Sequence, residues 1–476
     1  MAETAGATGA ADTADYGLLS PVWAGTAGAA QTSDRQIIQK MLDVELQWLR
    51  VLAGSGVIAP ELPNDAAPAF RADLYDPASL AARSAGGGNP VIPLLADLRA
   101  KVRETSGAAA AAVHTAATSQ DILDTALMLV ASDALNGILS DTRRTMSALA
   151  DLAVEHRDTL CVARTLTQHS LPSTFGLRAA QWLHGMGQAA EVLDAAAARL
   201  SLQWGGGSGT MAALRTVVDA SGVPATPLEL ADELARRLGL AAPAAPWQGN
   251  RLPVTDLGAA LQDLLSAAGK IANDVLLMSR PEVGEVSEPA AAGRGGSSAM
   301  PQKRNPVLSV LIRSAALAGP GCGVQLQTAA GAADDERPGG SWHTEWQALR
   351  SLLRLASGAA EKLAELSEGL TVNTAALREN LSAAGALVVS ERLMATIAPL
   401  MDDDGMPGSG KARLQELVTT SLTTGDPLAE LIRKAVPADV LSDAGLAAQL
   451  DPANYVGEAS ALIDRIVAAY PPRNFR

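Results

Sequence analysis

Gly296-Ser297-Ser298-Ala299-Met300-Pro301-Gln302-Lys303-Arg304-Asn305-Pro306 is the stretch on which the reading of this 476-residue chain turns. It lies in a Gly/Ser-rich segment that begins at Gly293 and contains Arg294. Gly293, Gly295 and Gly296 leave the backbone free to move, and Pro301 and Pro306 stiffen the second half of the stretch. Hydroxyls at Ser297 and Ser298, cations at Lys303 and Arg304 and an amide at Asn305 stand in close order. A mobile loop with Ser, Lys and Asn so placed is suited to closing over an anionic substrate and removing a proton from it.

Composition sets the frame around that loop. Apolar residues make up 48% of the chain and aromatics only 3%. Ala and Leu dominate and few segments alternate β-branched residues, a pattern that favours helix. The formal charge is 37 − 51 = −14, which argues against nucleic acid as a partner, since that needs a basic face. An anionic substrate would therefore need locally concentrated positive charge. Cys161 and Cys322 are far apart and form no CxxC, as expected of reduced cysteines in a cytoplasmic protein. The five histidines show no metal spacing, and no strand–Gly-rich–helix unit suggests a nucleotide, so neither a metal nor a cofactor is expected. Gly205-Gly206-Gly207-Ser208-Gly209 resembles a phosphate loop but lacks a preceding strand and a following Lys-Ser/Thr, so it reads as a turn between helices. No apolar run is expected to span a bilayer. Residues 1–15 are Ala/Gly/Thr-rich and acidic, without a basic n-region, and read as a disordered tail rather than a signal.

The rest divides into an N-terminal helical segment (16–113), a central helix-bundle segment (114–375) and a C-terminal helical segment (376–476). In the first, Thr32-Ser33-Asp34 opens a helix that runs on Ile37, Ile38, Met41, Leu42, Leu46, Leu49 and Leu52 until Gly54. Glu45 is the lone charge on its apolar face and reads as a buried pairing partner. In the centre, Leu123, Leu127, Val130, Ala134 and Ile138 form one stripe, and Leu261, Leu264, Leu265, Ala268, Ile271 and Val275 another. Three further clusters stand out. His114-Thr115-Ala116-Ala117-Thr118-Ser119-Gln120-Asp121 opens the first long helix, with Thr118 and Asp121 at capping-box spacing and free N–H groups suited to an anion. Arg164, Thr165, Gln168 and His169 gather before the next helix. Asp334-Asp335-Glu336-Arg337 is followed by Ser341-Trp342-His343-Thr344-Glu345-Trp346, which reads as a packed helix start.

These segments resemble the three signature regions of the fumarase/aspartase superfamily, in order, over about Leu18 to Leu370. The loop is similar to its GSSxMPxKxNP signature. HxxATSQDxxDT at His114 to Thr125, RTLxQHxxPxTFG at Arg164 to Gly176 and ERxxGxWHxEW at Glu336 to Trp346 resemble the 3-carboxy-cis,cis-muconate cycloisomerase branch. The resemblance implies an all-α fold of three helical domains and a homotetramer on a central twenty-helix bundle, each active site drawing on three subunits. It implies Ser297 as general base, and Lys303 and Asn305 as holders of the substrate carboxylate and the charge developing beside it. Thr118, Ser119 and Gln120 match carboxylate-binding groups, and Thr165 and His169, with Arg164, match the second region.

The chemistry agrees with these residue types. A proton beside a carboxylate is weakly acidic, and its removal leaves a dianionic, enolate-like centre that needs preorganised cations and N–H donors. The chain also departs from the pattern. Leu166 stands where many superfamily lyases carry a histidine acid, and His169, taken as one helical turn on, is the candidate substitute. Ala117 replaces a usual Gly, Gln302 a common His, and Trp204 a smaller residue. The expected reaction is proton abstraction beside a carboxylate coupled to addition or β-elimination. The substrate is either 3-carboxy-cis,cis-muconate, closed to a lactone, or a 2-substituted succinate that loses ammonia, an amine or nitrite to give fumarate. A non-catalytic scaffold is the remaining alternative.

Overall fold

The structure is a computed structural model that describes residues 15–296, 299, 300, 302–403 and 406–471. Its elements are overwhelmingly helical, and the principal ones are α1 (Asp34–Gly54), α2 (Ser119–Glu155), α3 (Phe175–Ala198), α4 (Pro227–Leu238), α5 (Leu252–Met278), α6 (Val307–Gly331), α7 (Ser341–Gly369) and α8 (Thr374–Ala383). Two small antiparallel sheets interrupt them: β1 (Leu160–Thr165) with β2 (Gln168–Thr174), and β3 (Val286–Ser287) with β4 (Thr371–Val372). The all-helical expectation is therefore correct in the large and amended by two short antiparallel pairings.

Local chemistry explains the helices. Ser33 caps α1 by accepting from the Gln36 N–H at 3.3 Å, and the helix ends at Gly54. Its buried face is Ile38, Met41, Leu42, Trp48, Leu49 and Leu52. Thr226 and Glu229 form a full capping box on α4, which Gly239 ends at φ +69°. The predicted stripes on α2 and α5 are buried throughout. Each such Leu, Ile or Val contributes about 1.5–3 kcal/mol by leaving water.

Two helices correct the expectation about apolar runs. α2 and α6 are long and apolar enough to cross a membrane by length and composition. The apolar window of α2 is mostly buried in the protein. That of α6 is only one-third buried, leaving Leu317 and Val324 in the open.

The chain divides into two compact units. One comprises Met1–Thr142, Ala189–Gly269 and Leu311–Leu363, the other Arg143–Gln188, Lys270–Val310 and Ala364–Arg476. In the first, Trp204 is buried against Trp48, with ring centroids 4.5 Å apart. At its centre Arg251 bridges two buried carboxylates, Asp124 (Nη1 to Oδ2, 2.8 Å) and Glu345 (Nη2 to Oε2, 2.8 Å). Trp342 donates its indole N–H to Asp124, so the tryptophan-rich start of α7 is core, as expected. In the second unit, Val389, Leu393, Ile397, Leu414 and Ile432 form the core of the C-terminal segment, and Val162 of β1 packs into it. Gly176, at the start of α3, approaches α2 closely: a Cβ there would lie 2.6 Å from the Ala153 carbonyl oxygen. That contact accounts for the Gly that closes the second motif.

Candidate active site

The first signature segment lies in the first unit, at the mouth of α2. His114 and Ala116 take left-handed backbone angles (φ +65° and +57°), unusual for residues with a side chain. They are held from α1. His114 Nδ1 meets the buried carboxylate of Glu45 at 2.6 Å, and Trp48 donates to the Thr115 carbonyl at 2.8 Å. Glu45 is thus the pairing partner that its place on the apolar face suggested.

Asp121 fixes the next turn. Its carboxylate accepts from the N–H of Thr118 (3.0 Å), Gly205 (2.9 Å) and Gly206 (3.0 Å) and from Gln203 Nε2 (3.1 Å). Burial pushes its pKa up to about 6, against the lowering effect of those four donors. The N–H groups of Gly205 and Gly206 are therefore turned toward Asp121, and the Gly-rich stretch is a short turn, as expected.

The three candidate ligands at the start of α2 differ. Thr118 and Ser119 are half-buried. The Thr118 hydroxyl accepts from Arg337 Nη2 at 2.5 Å. Gln120 is fully buried: its Nε2 donates to Asp124 (3.2 Å) and to the Gln248 carbonyl (3.0 Å), and its Oε1 is buried with no hydrogen-bond partner among the described residues. The amide nitrogen of Gln120 thus serves the Asp124–Arg251 network.

The second segment lies in the second unit, and its form corrects the sequence reading. Residues 160–174 are a β-hairpin, with Arg164 paired to His169 and Thr165 to Gln168. Leu166 and Thr167 form the two-residue turn, both at positive φ (+49° and +71°), as a type I′ turn requires. His169 is therefore not one helical turn from Leu166 but directly across the ladder from Arg164. Leu166 is almost wholly exposed at the tip. Thr165 and His169 are exposed as well.

Arg164 turns inward. Its Nη1 and Nη2 bind both oxygens of Glu285 at 2.9 and 2.7 Å. Glu285 is fully buried and also accepts from Asn380 Nδ2 at 2.9 Å, with Arg178 Nη1 at 3.6 Å. Its backbone carbonyl accepts from the Asn373 N–H, between β4 and α8. One residue thus ties the hairpin, α3, β3 and α8 together.

The third segment comes after β3 in the same unit. Ser297, the expected base, lies outside the described residues, as do Ser298 and Pro301. The base of the loop is clasped: Asn305 donates its backbone N–H (2.8 Å) and its Nδ2 (3.2 Å) to the Gly295 carbonyl. Gly295 is at φ +67°, and a Cβ there would meet the Asn305 carbonyl at 2.6 Å, so only glycine fits. Behind the clasp, Glu288 caps α6 by accepting from Leu308 N–H (3.0 Å), Ser309 N–H (2.7 Å) and the Ser309 hydroxyl (2.6 Å). Arg294 pairs with Glu365 at 2.6 Å. Lys303 is exposed and has no carboxylate partner among the described residues.

Sequence reasoning missed Glu285, Glu288 and Arg337. The first two stand in the run Gly284-Glu285-Val286-Ser287-Glu288 just before the loop, but nothing in the sequence links Glu285 to an arginine 121 positions earlier. Arg337 belongs to a quoted motif, and its contact with Thr118 spans 219 positions. Trp204, noted as a departure near the pocket, is a core residue against Trp48.

A family model described as Lyase matches residues 90–319. Over 458 residues the chain is 43% identical to a nitrosuccinate lyase of Streptomyces davaonensis, covering 95% of this chain and 94% of the relative. Over 456 residues it is 36% identical to a 3-carboxy-cis,cis-muconate cycloisomerase of Bradyrhizobium diazoefficiens, covering 94% and 97%. The crystal structure of 3-carboxy-cis,cis-muconate lactonizing enzyme from Pseudomonas putida matches with a TM-score of 0.86 at 31% identity, over 95% of this chain and 99% of that one.

Proposed function

The chain belongs to the fumarase/aspartase superfamily, in its cycloisomerase-like branch, and from that premise we propose how its residues perform the chemistry of a lyase or cycloisomerase. Ser297 takes the proton from the carbon beside a substrate carboxylate. Lys303 and Thr118, with Ser119, hold carboxylates and the negative charge that develops as the C–H bond breaks. Asn305 acts as the clasp of the loop and presents Lys303. Closure of the loop excludes water and strengthens these contacts. In an elimination, the electron pair left by the proton forms the new C=C bond, and the leaving group departs with the electrons of its own bond. In a cycloisomerisation the same chemistry runs in reverse: a substrate carboxylate oxygen forms a C–O bond to one alkene carbon, the π electron pair moves to the neighbouring carbon as an enolate-like centre, and the Ser297 hydroxyl donates its proton to that carbon and is reprotonated from solvent. His169, exposed beside Arg164 on the hairpin, is the candidate for the acid step.

The single observation that carries this reading is the Ser297–Lys303–Asn305 string on a loop whose base is closed by the two Gly295–Asn305 hydrogen bonds. Two substrates fit it. Lactone formation from 3-carboxy-cis,cis-muconate is supported by the muconate-acting relative and the lactonizing-enzyme structure. Elimination from a 2-substituted succinate, with nitrite as leaving group, is supported by the higher identity, 43% against 36%, to a nitrosuccinate lyase.

The three-segment division (16–113, 114–375, 376–476) belongs to this reading. So do a cytoplasmic location and a homotetramer with shared sites and a twenty-helix core. The exposed apolar side chains of α6, Leu317 and Val324, support assembly through that helix. Light scattering is expected to give four chain masses, and a monomer would remove the shared-site argument.

An absorbance assay on purified protein tests the reaction. Loss of muconate absorbance at kcat/KM of about 10⁴ M⁻¹s⁻¹ or more establishes the cycloisomerase. Silence there, with fumarate appearing from nitrosuccinate, aspartate or another 2-substituted succinate, establishes the elimination and names the leaving group. Inactivity on both sets rejects the reading.

A further inference from the structure

A substrate with two or three carboxylates needs more than one cation in a chain of net charge −14. Arg164, the arginine that the sequence pointed to, gives both terminal nitrogens to Glu285. Arg337 is in the opposite situation. It is exposed, it has no carboxylate partner among the described residues, and its one hydrogen bond goes to a neutral acceptor, the Thr118 hydroxyl.

Arg337 is also held in place. It stands on a turn that Asp334 closes by accepting the Gly339 N–H at 2.9 Å. Asp335, two residues before it, takes φ +46°, a left-handed angle that Asp adopts more readily than most residues. The Asp335 carbonyl sits against Gly249, where a Cβ would come within 2.8 Å of it, so this turn packs tightly on the Gly249 backbone. A closed, tightly packed turn thus places a guanidinium with no carboxylate partner among the described residues on one of the hydroxyls proposed to bind the substrate.

We propose that Arg337 is a specificity-determining residue of the reaction, binding together with Thr118 a substrate carboxylate other than the one beside the abstracted proton. The inference rests on the proposed role of Thr118 and extends it. A guanidinium offers several parallel N–H donors, so it can keep one on the Thr118 oxygen and turn a pair toward a planar carboxylate. A lysine at this position would supply the charge without the fork. The preference for a diacid over its monoester then resides in Arg337, whereas proton removal resides in the loop.

The test compares wild type, Arg337→Gln, Arg337→Lys and Thr118→Val on the substrate that the wild type accepts, and on the same compound with its distal carboxylate as a methyl ester. Calorimetric binding of fumarate and of tricarballylate is measured in parallel. Arg337→Gln is expected to lower kcat/KM on the full substrate roughly 30-fold, mostly through KM, and to abolish discrimination against the ester. Arg337→Lys recovers part of the loss, and Arg337→Gln adds little to Thr118→Val. The proposal is overturned if Arg337→Gln stays within about three-fold of wild type, or if it reduces acid and ester by the same factor, as a purely structural role would. The binding arm separates the two levels of inference. Polycarboxylate binding that depends on Arg337 in a protein inactive on every substrate supports this proposal and rejects the proposed reaction. Equal binding by wild type and Arg337→Gln rejects Arg337, whatever the activity. No binding by the wild type rejects both.

Discussion

Asp121 and Glu285 are both fully buried carboxylates, each beneath one signature segment, yet they are satisfied in opposite ways. Asp121 collects four neutral N–H donors and, among the described residues, no cation. Glu285 holds a bidentate guanidinium, an amide and a second arginine. The first fixes backbone: it sets the turn that presents Thr118. The second fixes a side chain and joins four elements. Neutral donors stabilise a buried charge less than a cation does, so the two sites differ in their response to truncation. The difference shows how one chain places its ligands, with a polar turn where the backbone must be aimed and an ion-pair hub where elements must be tied.

The largest effect is expected at the hub. Glu285→Ala leaves Arg164 largely buried without its counter-charge, and urea denaturation is expected to show a loss of about 3–5 kcal/mol. A loss below about 1 kcal/mol would place Glu285 among surface pairs and dissolve the contrast. Asp121→Ala comes next. It strands three backbone N–H groups and the Gln203 amide but relieves the burial of a charge, so about 2–3 kcal/mol is expected by the same measurement.

Asp121 also carries a pH dependence of its own. The folded-state value for Asp121, about 6, lies above its ordinary 3.8, so the folded chain favours the protonated form. Its contribution to stability is fully present below pH 3.8, is lost as pH rises through 6, and is constant above. At 1.36 kcal/mol per pH unit, the interval from 3.8 to about 6 corresponds to roughly 3 kcal/mol. Wild type is therefore expected to lose about that much relative to Asp121→Asn between pH 4 and 7. A pH-independent difference between the two would refute the assignment.

The smallest effect is expected at a carboxylate on the surface. Glu233 is held down to about 2 by the Arg236 hydrogen bond, with Arg237 adding to it. Both pairs lie within α4 at solvent, so Glu233→Gln is expected to change stability by only about 0.5 kcal/mol or less. A larger change would show that burial is not what separates Asp121 and Glu285 from ordinary ion pairs.

What the sequence disclosed tracks the range of the interactions. α1 was legible from end to end because its cap, its apolar period and its terminal glycine are local signals. The α2 and α5 stripes were legible for the same reason. The hairpin at 160–174 was not. Its strands are short, β2 contains Pro172, and the turn uses Leu166 and Thr167 where Asn-Gly would have announced it. His169 therefore stands on a strand, opposite Arg164, where its sequence neighbours suggest a helix. The loop string and the Thr118 segment stand out in the sequence because their polar residues are consecutive. Glu285 with Arg164 and Arg337 with Thr118 were not found, because only the folded chain brings them together. The Gly205–Gly209 turn lies between: its neutrality toward phosphate was readable from missing neighbours, its true partner Asp121 was not.

The proposed mechanism rests most heavily on Ser297 as the base that removes the proton beside the carboxylate. The most direct measurement is the kcat of Ser297→Ala beside wild type, on the substrate that the wild type turns over, with circular dichroism confirming an intact helical fold. The mechanism predicts a loss of about 10²–10⁴-fold in kcat with folding unchanged. Turnover within a few-fold of wild type would contradict it and place the base elsewhere in the chain.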